Sequence, residues 1–329
     1  MKKWYILIIM IITAVLLAAC GDGSDQDEQA GQKEDTSGKE AITVEDAYGE
    51  QSIDKAPERV VVLEWVYAED LLALGIQPVG MADIEGYHNW VNIEPELGED
   101  VQDVGTRQEP NLEAIAELDP DLIITAGYRH EAIMDSLKEI APTMAFNPYP
   151  AEGEGNQYEE MTGTFNELAK LFGKQDKADQ VLNDLESAYQ QAEQEISDAG
   201  MGEKPFVLSQ AYSSDNSPVI RLFKDNAMAV QIMENIGLEN AYQSDGFQVY
   251  GYDETSVETL QNFQDARFFY IVQEEDNIFD DQLKGNPAWE NLRFVEQDET
   301  YRLPGDTWTF GGPLSAGVFA EQIKEALIE

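Results

Sequence analysis

The sequence predicts an α/β protein of two lobes, each built on a central and mainly parallel sheet, joined by one long α-helix with a ligand cleft between them. Three observations predict it. Residues 59–148 alternate compact β-branched runs with short amphipathic ones. Over 158–199 every strand signal disappears. After Gly200 the alternation resumes. Such a rhythm belongs to βαβ units, whose strands are buried on both faces and read as short apolar runs.

In order along the first lobe, RVVVLEW (59–65) reads as a strand, AEDLLALG (68–75) as a helix closed by Gly75, and PVGMAD (78–83) as the next strand. NLEAIAEL (111–118) is a short amphipathic helix with Asn111 at its N-cap, where a side-chain oxygen can accept from free amides. DLIITAG (121–127) is a buried strand, EAIMDSLKEI (131–140) a helix and PTMAFNP (142–148) a strand. Ala178, Val181, Leu182, Leu185, Tyr189, Ala192 and Ile196 then recur at three- and four-residue steps and trace one face of a helix over 174–198. A shorter helix ends before it, near Phe172 and Gly173. A helix of about 25 residues spans roughly 40 Å, enough to cross both lobes. Beyond Gly200 come KPFVLSQAY (204–212) and SPVIRLF (217–223), helices at 226–236 and 256–263, FFYIVQ (268–273), a strand near Tyr301–Arg302–Leu303, and a closing helix at 314–328. The expected bounds are 43–173 for the first lobe, 174–199 for the joining helix and 200–329 for the second lobe. One stiff helix permits little relative rotation, and a cleft between lobes is the default ligand site.

The chain starts Met1-Lys2-Lys3 and carries no charge over 4–19, the pattern of a secretory leader rather than a spanning helix. It ends LAACG, which resembles the bacterial lipoprotein box. That resemblance implies cleavage of 1–19 and lipidation of Cys20, the only cysteine. No thiol then remains for a disulfide or a cysteine-ligated metal. The acidic, Gly/Ser-containing stretch over 20–42 reads as a flexible tether. Together these place a folded, monomeric body on a leash at the extracytoplasmic face of a cell membrane.

With 65 Asp and Glu against 20 Lys and Arg, the net charge of −45 opposes binding to nucleic acid or anionic headgroups. It also makes each arginine informative. VGTRQEPN (104–111) sets Arg107 in a turn punctuated by Gly and Pro between a strand and a helix. From these residues alone a surface ion pair and a binding group are both open. Direct metal binding is poorly supported, since His88 and His130 are the only histidines and lie far apart in sequence. No EF-hand spacing, Walker A lysine or dinucleotide fingerprint appears. GPLSAG (312–317) has the spacing G-x-x-S-x-G, not that of a nucleophile elbow, so no enzyme activity is expected.

Four stretches carry a family resemblance: RVVVLEWVYAEDLLALGIQPVGMADIEGYHNWV, DVGTRQEPNLEAIAELDPDLIITAGYRH, EDNIFDDQLKGNPAWE and GDTWTFGGPLSA. On these the chain resembles the iron–siderophore substrate-binding lipoproteins of bacterial ABC importers, the hydroxamate binders of Bacillus-type bacteria in particular. The resemblance implies capture of a ferric siderophore, of hydroxamate or citrate–hydroxamate type, and its delivery to an ABC permease served by a separate ATPase. No resident cofactor is implied. Ferric citrate, haem or cobalamin on the same scaffold, and an extracytoplasmic hydrolase, are the alternatives. Arg107 is implied to contact siderophore oxygens, with Trp90, Tyr128 and Trp308 as aromatic walls. Arg221 and Tyr250 are further candidates, and Arg129 and His130 belong either to the rim or to solvated loop. Glu131 and Glu258 match the outer-surface acids that dock on permease arginines, although Thr255 to Glu258 also reads as a capping box.

Overall fold

In the computed structural model, which describes residues 41–215 and 217–328, the first lobe opens with a hairpin of β1 (Ile42–Asp46) and β2 (Gly49–Ile53). The leader over 1–19, Cys20 and the tether up to residue 40 lie outside the described residues. Asp46 anchors the hairpin by accepting from the Ala145 amide at 3.1 Å. The first-lobe sheet comprises β3 (Val60–Val62), β4 (Gly80–Met81), β5 (Gln102–Asp103), β6 (Leu122–Ala126) and β7 (Thr143–Phe146) in the order β5-β4-β3-β6-β7. All four pairings are parallel. The strands are shorter than the apolar runs that announce them, because RVVVLEW turns at Glu64 and begins a helix at Trp65.

Helices α1 (Trp65–Ala73), α2 (Ile84–Trp90), α3 (Leu112–Glu117), α4 (Gly127–His130) and α5 (Met134–Ile140) connect these strands. Asn111 caps α3 as expected, accepting from the amides of Glu113 and Ala114 at 3.1 Å each. α6 (Gln157–Leu171) leads into the joining helix α7 (Gln175–Asp198). The buried stripe of α7 divides between two cores. Ala178 and Val181 pack in the first lobe, whereas Leu185, Tyr189, Ala192 and Ile196 pack in the second. One helix thus carries part of both hydrophobic cores, at roughly 1.5–3 kcal/mol for each large side chain buried.

The second-lobe sheet is formed by β8 (Phe206–Ser214), β9 (Ser217–Phe223), β10 (Tyr252–Thr255), β11 (Arg267–Ile271) and β12 (Thr300–Leu303), in the order β10-β9-β8-β11-β12. Six of the eight pairings in the two lobe sheets are parallel, as expected, but this second sheet is mixed. β8–β11 and β11–β12 are parallel, but β8–β9 and β9–β10 are antiparallel. The cause is local: only two residues separate β8 from β9, and Asp215 has φ +49, so the chain folds straight back as a hairpin. α8 (Met228–Asn235), α9 (Pro287–Glu290), α10 (Arg293–Glu296) and α11 (Pro313–Ile328) complete the lobe.

Residues 257–263 form a 3-10 helix rather than an α-helix, and the capping box at 255–258 does not form. Thr255 ends β10, paired with Ile220, and its hydroxyl meets that of Thr259 instead. Ser256 takes the N-cap position without a side-chain cap.

The lobes are fastened at their junction. Glu69 of α1 accepts from the amide and the hydroxyl of Ser315 in α11, both at 2.7 Å. A second tie joins Asn92 to Asp306 at 3.1 Å.

Candidate ligand-binding cleft

The loops that follow the parallel strands all emerge on the same side, the place where open α/β sheets present their ligand sites. The turn carrying Arg107 is pinned at both ends. Gly105 has φ +97, a Cβ there would lie 2.9 Å from the Asn111 amide, and Gly105 bridges to Pro110. Asp103 accepts from the Gly105 amide at 2.8 Å and Thr106 from the Glu109 amide at 3.0 Å.

Within that turn Arg107 is fixed from several directions. Its guanidinium carbon lies 3.4 Å from the ring centroid of Trp65. Nη1 donates to Glu64 Oε1 at 2.8 Å, and Nε reaches Asp83 Oδ2 at 3.4 Å. Its backbone carbonyl accepts from His130 Nε2 at 2.8 Å. Trp65 is itself held by its indole N–H, which faces the carbonyls of Ala82 and Asp83 at 3.3 and 3.1 Å. A cation stacked on a desolvated indole gains about 0.5–2 kcal/mol.

His130 therefore belongs neither to the rim nor to a solvated loop. It is buried, and burial pushes its imidazole below the usual range. Neutral at pH 7, it holds its proton on Nε2 for the Arg107 carbonyl and turns Nδ1 toward the Thr125 hydroxyl. Arg129 next to it donates from Nε to Glu64 Oε2 at 2.7 Å and from Nη2 to the Tyr128 hydroxyl at 2.7 Å.

Facing this wall, Arg221 on β9 lies between two tyrosine rings, 4.4 Å from Tyr252 and 4.9 Å from Tyr212. It donates to Gln210, Glu254 and the Tyr212 hydroxyl at 3.1–3.2 Å. Between the walls lies a cavity of about 420 Å³. Trp65, Trp90 and Arg107 line it from the first lobe; Arg221, Asp276, Trp308 and Phe310 are among the residues lining it from the second. Trp308 meets Trp65 edge-on at 5.2 Å.

Tyr128 and Tyr250 do not line this cavity. They are 41% and 43% exposed and flank Tyr149, at 5.4 and 5.0 Å between centroids. Tyr149 in turn lies 6.1 Å from Phe310, so a chain of rings continues the cavity wall outward. Glu131 opens a 3-10 turn after α4 and is exposed, as is Glu258 in the 3-10 helix. A hydrogen bond from Ser256 holds the Glu258 carboxyl below the usual range.

Sequence reasoning missed Glu64, Trp65 and Tyr149. Trp65 closes the run RVVVLEW, whose composition marks a strand and gives no sign that a helix begins at this residue. Tyr149 sits in the Pro-flanked segment NPYP, which has no periodicity. Glu64 is one of 65 acids, and only its burial sets it apart. Among the described residues, no group of three or more His, Asp or Glu is placed to hold a bare metal ion.

The family model for periplasmic binding proteins matches residues 60–307. The chain is 31% identical over 327 residues to the Fe(3+)-citrate-binding protein YfmC of Bacillus subtilis, covering 96% of each. It is 32% identical over 274 residues to the iron(3+)-hydroxamate-binding protein FhuD of Escherichia coli, covering 82% of this chain and 87% of that one. The crystal structure of FhuD from Vibrio cholerae with Fe3+ and Desferal aligns with a TM-score of 0.73 at 29% identity, over 82% of this chain and 98% of that one.

Proposed function

Because the chain belongs to the periplasmic binding protein family, we propose that it captures a ferric siderophore in the cleft between its lobes and delivers it to an ABC permease outside the cytoplasm. It is a binding protein and not an enzyme. The observation that carries this reading is the shared hollow in which Arg107, Trp90 and Trp308 converge from two lobes. The iron is cargo and arrives already chelated. Hydroxamate and carboxylate oxygens on Fe(III) keep partial negative charge, and a guanidinium offers them donors without competing for the metal.

In this reading Arg107 and Arg221 donate to chelate oxygens from opposite walls. Trp90 and Trp308 cover the hydrocarbon linkers, and Tyr128 and Tyr250 extend that cover at the outer end of the ring chain. The fixed backbone of α7 and the Glu69–Ser315 tie keep the walls at a preset separation, which limits the ordering cost of binding. Glu131 and Glu258 are exposed carboxylates suited to docking on permease arginines. Lipidation at Cys20, after removal of 1–19, is proposed to hold the body at the membrane surface.

The chelate is of hydroxamate or citrate–hydroxamate type. In favour of hydroxamates, both cleft guanidiniums are already paired with carboxylates, Arg107 with Glu64 and Arg221 with Glu254. That arrangement suits a complex in which three monoanionic hydroxamates balance one Fe(III). A second reading, ferric citrate, is supported by the likeness to YfmC across nearly the whole chain. Quenching of tryptophan fluorescence, titrated with a panel of ferric chelates, tests both. Saturable quenching by an intact ferric hydroxamate supports the first reading. Saturation by ferric citrate alone supports the second, and no response to any ferric chelate refutes the function.

A further inference from the structure

We propose that Glu64 sets the charge preference of the cleft, restricting it to ferric chelates of little or no net charge. The proposal rests on the ferric-chelate reading and assigns selectivity to a residue behind the arginines. Glu64 lies between β3 and α1 with a side chain only 7% exposed. Its two oxygens are divided between two guanidiniums: Oε1 accepts from Arg107 at 2.8 Å and Oε2 from Arg129 at 2.7 Å.

Two consequences follow from that position. The first is geometric. Arg107 has five N–H donors, and Glu64 and Asp83 engage those on Nη1 and Nε. The guanidinium is thereby held flat on Trp65, and Glu64 acts as a positioning residue for it. The second is electrostatic. The many exposed acids of this chain are screened by water and salt. A carboxylate this buried acts through a medium of lower dielectric and reaches the cavity largely unscreened.

The resulting charge balance is unusual for an anion site. The first-lobe wall holds Arg107 and Arg129 against Glu64 and Asp83. The opposite wall holds Arg221 against Glu254, and Asp276 also lines the cavity. The donors are abundant, but the surplus positive charge is absent. An uncharged chelate gains the hydrogen bonds and loses nothing. A strongly anionic chelate meets walls already neutralised on a chain of net charge −45. Specificity is a difference of affinities, and here the buried carboxylate supplies the unfavourable side of it.

The test measures affinities of the full chain in neutral detergent micelles for two probes, an uncharged ferric trihydroxamate and anionic ferric dicitrate. Glu64→Gln is expected to raise the affinity for dicitrate relative to trihydroxamate roughly ten- to a hundredfold, the size expected for one unit charge about 6–12 Å away at an effective dielectric of about 20. Glu64→Asp keeps the charge but shortens the side chain, so both affinities fall while their ratio stays within about twofold of the wild type. If circular dichroism shows Glu64→Gln unfolded, Asp83→Asn carries the test, since the Asp83 side chain is more exposed and pairs with one guanidinium, that of Arg107, rather than two; its ratio must shift in the same direction by less. A ratio unchanged in whichever of these two neutralising variants folds overturns the proposal, as does a Glu64→Asp ratio that moves as far as that of Glu64→Gln. A wild type that binds neither probe overturns the ferric-chelate reading and the Glu64 assignment together. A wild type that binds, with variants that keep its ratio, overturns the assignment alone.

Discussion

The guanidinium of Arg107 lies 3.4 Å from the ring centroid of Trp65, closer than any other cation–ring pair among the described residues. This stack turns a flexible side chain into a fixed donor surface. Arg107→Ala is therefore expected to weaken binding of a ferric chelate by about 1–3 kcal/mol, the range for losing a charge-assisted hydrogen bond. Arg107→Lys should recover little of it, because an ammonium has no planar face to stack and no fork of donors to share. Fluorescence titration of both variants checks this, and wild-type affinity in Arg107→Ala removes the residue from the site.

Trp65 contributes from beneath. Trp65→Phe keeps an aromatic face but loses the indole N–H, leaving the Ala82 and Asp83 carbonyls without that donor. Stability should fall by about 1–2 kcal/mol from the lost hydrogen bond and the volume removed from a buried side chain. Affinity should fall several-fold as well, since the cation–ring contact weakens. Denaturant unfolding and chelate titration on the same preparation separate the two effects.

The Glu69–Ser315 tie predicts a different phenotype, seen in coupling between lobes rather than in affinity alone. Gly312 lies against it: a Cβ there would come within 2.7 Å of Asp70 Oδ1 and 3.1 Å of Glu69 Oε1. Gly312→Ala should force α1 away from the start of α11, at a cost of about 1–3 kcal/mol, the usual penalty for overpacking. Ser315→Ala should cost about 1 kcal/mol per hydrogen bond removed. Hydrogen exchange at the first turn of α11 is the readout, with faster exchange in both variants.

The fold and the site were legible to different depths, for physical reasons. α7 was legible because a helix that packs against two cores must repeat apolar residues along its whole length. The Arg107 turn was legible because Gly105, Pro110 and Asn111 each answer a backbone requirement that few other residues meet. The β1–β2 hairpin was not, since GEQSI is polar and only part-buried, and its partner contacts are supplied by distant residues such as Ala145. The direction of β9 was not legible, because apolar content marks a strand without saying which neighbour it pairs with. Glu64 was illegible for a further reason. Its importance comes from burial between two arginines 43 and 65 residues away, a relation with no local signature.

A last prediction concerns pH. Glu160 on α6 is pushed up to about 7 by burial, which the hydrogen bond from the Thr164 hydroxyl at 2.6 Å only partly offsets. Asp70 of α1 and the phenol of Tyr67 lie in the same electrostatic neighbourhood, and burial raises both far above their ordinary ranges. A carboxyl whose pKa is higher in the folded than in the unfolded chain favours folding while it is protonated. The contribution of Glu160 is thus complete below its unfolded value of 4.5 and is lost as pH rises through about 7. The loss is at most about 3.4 kcal/mol, at 1.36 kcal/mol per unit. The melting temperature should accordingly fall by about 5–10 °C between pH 5 and pH 8. High salt suppresses repulsion among the exposed carboxylates, so the scan belongs at about 0.5 M salt, where buried groups dominate. Glu160→Gln keeps an acceptor for Thr164 but cannot ionise, and its melting temperature should be flatter across the same range. A wild-type slope that survives this substitution unchanged assigns the pH dependence to other groups, with Asp70 and Glu69, both raised by burial, next in line.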